Sequence, residues 1–487
     1  MPVKAAVKAV PASSLEFTSE GFRGIIAKSF TFTAVEDISR AIAAYLEAQP
    51  GGKRGVLLGH DTRFLSEEFA ARAERVLAER QPVVRLPGIS PSPLVAFGVK
   101  HLGFAAGVML TASHSPAEYH GIKVFTDTGA PAAPEEMEAM MRARTGEVAE
   151  GSRVGGSEGS KVGELEGSRE EKAGKLEEAY LEAILAQVDA ARIRAAKFRV
   201  GLDPMYGAGA AFAGRLLDRL GVSAKVIHGE RDVRFGGHHP EPVAGTMEDL
   251  GALVRKEGLD FGLALDGDAD RFGAVDETGA FVAQNQLLGA LAHHVYANRK
   301  MTGPVVRTIA TSHFVDAVAA RFQQESLVAP VGFRYVANLA QNRGALLGGE
   351  ENGSFALRGH IPSPDGLFAI ALYLDYLATE RKRPREALDR LRETYGSFHT
   401  KRVDLHLPEA ECEAVMARLR NEPILEFMGR SLVGAKDLQG VKYTYEGGRW
   451  FLVRPATTEP ILRVYLESPA EDELPGMERE ILNRLNV

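Results

Sequence analysis

The chain has 487 residues, about three typical domain lengths, so several domains are expected. Apolar residues make up 45% and charged residues 25%, which excludes a disordered or fibrous chain. With 58 basic and 65 acidic residues the formal net charge is −7, which argues against a dedicated nucleic-acid binder but leaves room for a small anionic substrate in a local basic pocket.

The start, with Lys4 and Lys8 but no apolar run after them, does not read as a signal peptide. The longest uncharged apolar stretch, near Leu102 to Ala112, is shorter than the roughly 20 residues of a membrane helix. A cytoplasmic protein is expected. Cys412 is the one cysteine; it cannot form an internal disulfide and reads as a small residue on a helix.

In chain order, short β-rich runs lead into polar turns and then into helical periods. Gly55–Gly59 leads to His60-Asp61-Thr62-Arg63 and a helix over Ser66 to Arg80. Phe104 to Leu110 leads to Thr111-Ala112-Ser113-His114. Phe198 to Leu202 leads to Asp203-Pro204-Met205-Tyr206-Gly207. Phe261 to Leu265 leads to an acidic loop. The alternation predicts α/β layers with largely parallel sheets, ligands sitting at the carboxyl ends of strands. Residues 146–172, rich in Gly, Ser and Glu, contain VGGSEGS and VGELEGS and read as a flexible insertion. Further boundaries are expected near Asn285 and Ser397, and Thr400 to Leu407 reads as a strand opening an α+β tail.

Four loops carry candidate chemistry. Asp266, Asp268 and Asp270 stand at i, i+2 and i+4 directly after a strand. Carboxylates so crowded call for a cation, and oxygen-only ligands suit Mg²⁺ or Ca²⁺. An EF-hand would also use Glu277, but Arg271 stands where its turn needs glycine. In Thr111-Ala112-Ser113-His114-Ser115-Pro116-Ala117-Glu118-Tyr119-His120-Gly121-Ile122-Lys123, Ser113 is either a nucleophile or part of a plain turn. The loop Gly348-Gly349-Glu350-Glu351-Asn352-Gly353 could hold sugar hydroxyls, or be a charged surface turn. Arg454-Pro455-Ala456-Thr457-Thr458 offers a planar fork and small donors, which suit a phosphate. The pairs His238-His239 and His293-His294 lack metal-ligand spacing and read as structural.

Together, in this order, the four loops resemble those of the α-D-phosphohexomutases, the phosphoglucomutases and phosphomannomutases. TASHSPAEYHGIK matches the family's serine loop, DGDADR its metal loop, GEENG its sugar loop and RPATTEPILR its phosphate loop. FTSEGFRG at Phe17–Gly24, Gly59–Arg63 and Val331–Tyr335 support the match, which spans about residues 15 to 467. The resemblance implies three related α/β domains and a smaller C-terminal α+β domain around a central cleft: 1–145 with the phosphoserine loop, 173–284 with the metal loop, 285–396 with the sugar loop and 397–487 with the phosphate loop.

It further implies an isomerase that shuttles a phosphoryl group between the 1- and 6-positions of a hexose. Ser113 would be carried as phosphoserine, with a hexose 1,6-bisphosphate as intermediate and primer. Asp266, Asp268 and Asp270, with an oxygen of Ser113, would hold Mg²⁺. Lys123 would act as acid/base, helped by Arg23, its proton loosened by Arg23 and Arg271. His114 would orient Ser113. Arg271 and Arg334 would add positive charge, Glu350 and Asn352 would hold the sugar, and Arg454, Thr457 and Thr458 would grip the non-reacting phosphate. A monomer or homodimer, with hexose phosphates as its small-molecule partners and no nucleic acid or membrane, is expected. So is closure of the last domain over the cleft.

The departures from the family pattern fall on substrate recognition: Asn352 for serine, Ala456 for serine, Thr457 for glycine or asparagine, Arg334 for lysine, and Pro364 where a lysine is frequent. Glu350-Glu351 leans towards phosphoglucomutase. A phosphomannomutase or dual enzyme, a glucosamine phosphate mutase, a metal-dependent sugar phosphatase and a non-catalytic sugar-phosphate binder are the other readings.

Overall fold

The computed structural model describes residues 16–18, 21–143, 173–456 and 461–486. The insertion read at 146–172, and Thr457 and Thr458, therefore lie outside the described residues.

Three sheets repeat one four-strand plan. The first holds β1 (Glu16–Thr18), β2 (Gly21–Ile25), β3 (Val56–His60), β4 (Val83–Arg85), β5 (Ala106–Leu110) and β6 (Tyr119–Thr126), in the order β1-β2-β6-β5-β3-β4. The second holds β7 (Arg199–Asp203), β8 (Ser223–Val226), β9 (Phe261–Leu265), β10 (Phe272–Val275) and β11 (Phe281–Val282), in the order β11-β10-β9-β7-β8. The third holds β12 (Val305–Thr308), β13 (Ser326–Ala329), β14 (Leu347–Gly349) and β15 (Phe355–Leu357), in the order β13-β12-β14-β15. In each, the first of the four strands pairs in parallel with the next two, and the third pairs antiparallel with the fourth.

The sheets are thus mixed rather than largely parallel, and the reason is loop length. Residues 111–118, 266–271 and 350–354 join the last two strands of each unit. These loops are shorter than the dozen or so residues that a parallel crossover needs, so each strand must double back. The serine, metal and sugar loops therefore occupy one and the same topological position in three successive units.

The three units share their interior. The helix Gly366–Glu380 is buried from Gly366 through Ala378. It follows the third sheet in the chain but packs on β9 and β10 of the second and on the helices Leu176–Leu185 and Ala210–Arg219. An unbroken apolar run such as Leu367-Phe368-Ala369-Ile370-Ala371-Leu372 suits a helix surrounded on all sides.

The fourth sheet is wholly antiparallel: β16 (His399–His406), β17 (Glu426–Phe427), β18 (Arg430–Asp437), β19 (Val441–Tyr445), β20 (Arg449–Pro455) and β21 (Ile461–Ser468), ordered β16-β21-β20-β19-β18-β17. It has its own core, built from residues such as Phe427, Phe451 and Met477. Trp450, Leu452 and Tyr465 on its other face bury against Ile309 and Ala310 of the third unit. Cys412 is buried on the helix Glu409–Asn421, where burial pushes its thiol pKa up.

Candidate active site

Ser113 lies at the mouth of the loop after β5, fully buried, with a left-handed backbone (φ +51°) that a non-glycine residue rarely adopts. Thr111 holds this turn, its Oγ1 accepting from the Ser113 amide at 2.9 Å. The Ser113 hydroxyl donates to Asp266 Oδ2 at 2.9 Å, and His114 Nδ1 lies 3.3 Å from the same serine oxygen. Two loops 153 residues apart are thereby joined at the atoms of interest.

The three aspartates converge as their spacing predicts. Their carboxylate oxygens lie within 4.8 Å of one another and all three residues are buried. Burial and the negative charges of Asp270 and Asp268 hold the Asp266 carboxyl well above the usual carboxylate range. Lys123 lies against the same group, its Nζ 2.8 Å from Asp268 Oδ2 and 2.6 Å from Asp270 Oδ2. The expectation placed Lys123 under the influence of Arg23 and Arg271; the structure also sets it against two carboxylates. Three buried carboxylates with oxygens within 4.8 Å of one another offer the hard oxygen donors and negative charge that suit a divalent cation such as Mg²⁺. Glu277 is elsewhere, accepting from the Arg385 amide at 3.2 Å, so the loop is no EF-hand.

Supporting residues hold these loops in register. Arg63, fully buried, donates to four carbonyls of the serine loop: Ser113 and Ser115 at 2.6 Å, Pro116 at 2.8 Å and Tyr119 at 3.0 Å. Its Nε lies 3.3 Å from Asp61, and burial lowers its pKa to about 10. Ser92, in the first turn of the helix Ser92–Leu102, donates through its amide to the Asp268 carbonyl at 2.9 Å and through its hydroxyl to the Asp268 carboxylate. A helix N-terminus favours that negative charge. Gly267 must be glycine: a Cβ there would stand 2.6 Å from the Ser113 carbonyl oxygen.

Asp365-Gly366 supports the metal loop. Asp365 caps the buried helix by accepting from the Phe368 amide at 2.9 Å, and is held by Tyr180 (2.9 Å) and His360 (2.7 Å). The Gly366 amide donates to the Ala269 carbonyl at 3.0 Å, behind a second left-handed non-glycine residue, Ala269 (φ +62°). Pro364 is buried in this segment.

The remaining candidates surround this centre. Arg23, on β2, donates to Ser115 Oγ at 2.9 Å. Arg271 donates through its amide to Asp266 Oδ1 at 3.0 Å and pairs with Glu241 at 2.7 Å. The Arg271 backbone bridges to Ser354, which joins the metal loop to the sugar loop. There Glu350 accepts from the Gly332 amide at 2.9 Å, and Asn352 approaches Glu350 at 3.4 Å while accepting from the Ser354 amide at 2.9 Å. Arg334 stands buried two residues past Gly332, its guanidinium 5.7 Å from the Tyr335 ring centre. Arg454 is buried on β20, directly opposite Arg463 on β21.

Ser113, His114, Lys123 and the three aspartates thus form one contiguous cluster; Arg271 joins it through its amide to Asp266, Arg23 reaches the neighbouring Ser115, and Glu350 and Asn352 lie on the next loop, which the Arg271–Ser354 bridge ties to the metal loop. Arg454 belongs to the separate fourth sheet. The histidine pairs behave as structural groups where contacts are described: His293 bonds Tyr395 and His294 bonds Asp375.

Sequence models of all four domains of the phosphoglucomutase/phosphomannomutase family match, domains I, II and III as alpha/beta/alpha domains over residues 14–149, 178–279 and 283–395, and the C-terminal domain over residues 408–484. The chain belongs to this family. It is an enzyme of the isomerase class, a phosphohexomutase.

Relatives resemble this phosphohexomutase over nearly their whole lengths. A phosphoglucosamine/phosphogalactosamine mutase of Sulfurisphaera tokodaii is 30% identical, covering 96% of this chain and 98% of its own. A phosphoglucomutase/phosphomannomutase of Thermococcus kodakarensis is 30% identical, covering 94% and 95%. Among solved structures, a Thermus thermophilus protein provisionally named a phosphomannomutase superimposes with a TM-score of 0.80 at 31% identity, covering 97% of this chain and 99% of that one. Among the described residues no helix is long and apolar enough to cross a membrane.

Proposed function

We propose that this phosphohexomutase interconverts glucose 1-phosphate and glucose 6-phosphate through a phosphoserine at Ser113 and a glucose 1,6-bisphosphate intermediate. The observation that carries the reading is the single buried cluster of Ser113 Oγ, the Asp266, Asp268 and Asp270 carboxylates and Lys123 Nζ.

In the forward step the phosphorus–Oγ bond of phosphoserine 113 breaks and a bond forms from phosphorus to the sugar hydroxyl, whose proton passes to Lys123 Nζ, the amine entering the step unprotonated. The serine oxygen keeps its electron pair. After the bisphosphate turns around, its other phosphoryl returns to Ser113 and the departing sugar oxygen takes a proton back from Lys123. Asp266, Asp268 and Asp270 would hold Mg²⁺, which would supply positive charge to offset the negative charge on the transferring phosphoryl. His114 orients the serine oxygen, and Arg63 and Thr111 fix the turn that presents it. Arg23, Arg271 and Arg334 supply fixed positive charge. Glu350 and Asn352 meet the sugar hydroxyls, while Arg454 with Thr457 and Thr458 grips the distal phosphate. Such remote grip positions the reacting end. A reducing cytoplasm suits the single buried Cys412.

A second reading, glucosamine phosphate as substrate, is favoured by the names of several relatives. Glu351 also weakens the lean towards glucose, because its carboxylate already accepts from Thr308 at 3.0 Å. A coupled assay tests both: purified protein, Mg²⁺, a trace of glucose 1,6-bisphosphate, and glucose, mannose or glucosamine 1-phosphate in parallel. The fastest 6-phosphate formation from glucose 1-phosphate is expected. Release of inorganic phosphate without 6-phosphate would replace the mutase reading with a phosphatase.

A further inference from the structure

The face of the fourth sheet that meets the third unit is divided into two parts. Antiparallel partners directly opposite one another share a face, so the register reads off its rows. One row holds Trp450 and Glu467, the next Leu452, Tyr465 and Arg402, and the next Arg454, Arg463 and Asp404. The apolar part, Trp450, Leu452 and Tyr465, is pressed on Ile309 and Ala310. Beyond it lie three guanidinium groups and one carboxylate.

Asp404 serves two of the three. Its Oδ1 lies 3.2 Å from Arg402 Nε and 3.8 Å from Arg463 Nε, and its Oδ2 accepts from Arg402 Nη2 at 3.3 Å. One carboxylate among three arginines leaves a local excess of positive charge beside the phosphate loop. Arg402 faces the same side of the sheet as Arg454 and Arg463, which flank the phosphate loop, and its guanidinium is tied to the same carboxylate as that of Arg463. Arg402 therefore lies beside the arginines that flank the phosphate loop, and its side chain is 42% exposed, open to a ligand where Arg454 is buried.

We propose that Arg402, which belongs to none of the four motif loops, is a further phosphate-binding residue of the substrate site, with Asp404 as the carboxylate that positions it beside Arg463. The proposal rests on the mutase reading above. A guanidinium already fixed at one edge by a carboxylate presents its remaining donors in a planar array, which matches phosphate oxygens. It is one of several groups on the phosphate remote from Ser113, so its loss weakens binding in ground state and transition state alike while Arg454 still positions the substrate, and the effect appears in KM rather than kcat.

The test compares the full-length protein with Arg402→Gln and Arg402→Lys, measuring KM and kcat for the hexose 1-phosphate that the wild type turns over fastest. Thermal shift with inorganic phosphate as the probe is measured on the same preparations. A rise in KM of about tenfold in Arg402→Gln, kcat within about twofold, partial recovery in Arg402→Lys and a smaller phosphate-induced shift are expected, the size following from loss of a charge-assisted hydrogen bond. An unchanged KM and phosphate shift in folded Arg402→Gln would overturn the proposal. So would a fall in kcat alone. A wild type that makes no 6-phosphate from any sugar would instead overturn the mutase reading, and the phosphate shift would still report on Arg402.

Discussion

The guanidinium of Arg63 donates to the carbonyl of Ser113 at 2.6 Å from 50 residues earlier in the chain. Three more carbonyls of the same loop depend on it, and Asp61 is its counter-charge. Arg63→Met leaves buried carbonyls and the Asp61 carboxylate without a cation, so a loss of about 3–5 kcal/mol is expected, read as a fall in thermal midpoint. Arg63→Lys keeps the charge but not the fork; it should retain the fold better while kcat falls, because Ser113 is displaced. Equal kcat in Arg63→Lys and wild type would remove Arg63 from the positioning of the serine.

Ser113→Ala separates chemistry from binding. Turnover should fall by about a thousandfold or more, as expected when the nucleophile itself is lost, while calorimetric binding of the hexose phosphate persists. Retained turnover would eliminate a phosphoserine mechanism.

Lys123 compensates Asp268 and Asp270 from within the cluster. Lys123→Met leaves three crowded carboxylates with less positive charge. Without Mg²⁺ the variant should melt well below the wild type, by about 3 kcal/mol. Added Mg²⁺ should raise its melting point more than it raises that of the wild type, since binding to the folded state stabilises by mass action. Equal Mg²⁺ responses in differential scanning fluorimetry would count against a shared cation site.

Gly267→Ala tests the packing of one loop on the other. The new Cβ would meet the Ser113 carbonyl oxygen at 2.6 Å and Pro240 Cγ at 3.1 Å. Overpacking of this kind costs about 1–3 kcal/mol. A displacement of about 1 Å at the serine reduces rate by about a hundredfold. Activity at wild-type level would show that the serine loop tolerates the shift.

His120 predicts an acid limit to stability. Burial lowers its pKa to about 4, against the opposing pull of Asp61 and with Arg63 and His60 lowering it further. The ring stacks on Phe30 at 5.0 Å and bonds Ser66 Oγ at 2.8 Å. Because the folded state binds its proton more weakly than the unfolded state, stability is complete above about pH 6.5 and declines as pH falls towards 4, by about 3 kcal/mol at most. Chemical denaturation at pH 7, 5.5 and 4.5 should show a steeper loss in the wild type than in His120→Asn. Parallel profiles would assign the acid sensitivity elsewhere.

Residues carrying chemistry are legible because they are close in sequence. Asp266, Asp268 and Asp270 share one turn, and Ser113 and Lys123 flank another. Residues that hold them are not close. Ser92 reaches Asp268 across 176 positions, and Gly366 reaches Ala269 through a helix that belongs to the next unit. A serine before a proline carries no mark of that task. Asp61 and Arg63 stand out as a segment, yet only the fold shows four carbonyls on one guanidinium. Glu277 is the reverse case, a carboxylate at the right spacing that a strand carries away from the cluster. Strand–helix alternation predicts parallel sheets, while the short loops that reverse the last strand in each unit hold the chemistry itself.

The helix Gly366–Glu380 supplies the wall on which β9 and β10 lie, and its first amide holds the backbone behind Asp268 and Asp270. During synthesis the acidic loop is made about a hundred residues before its own support. Until that helix is made, the three aspartates stand on a sheet that lacks its backing. The cation-holding site of the second unit is consequently completed by a segment of the third.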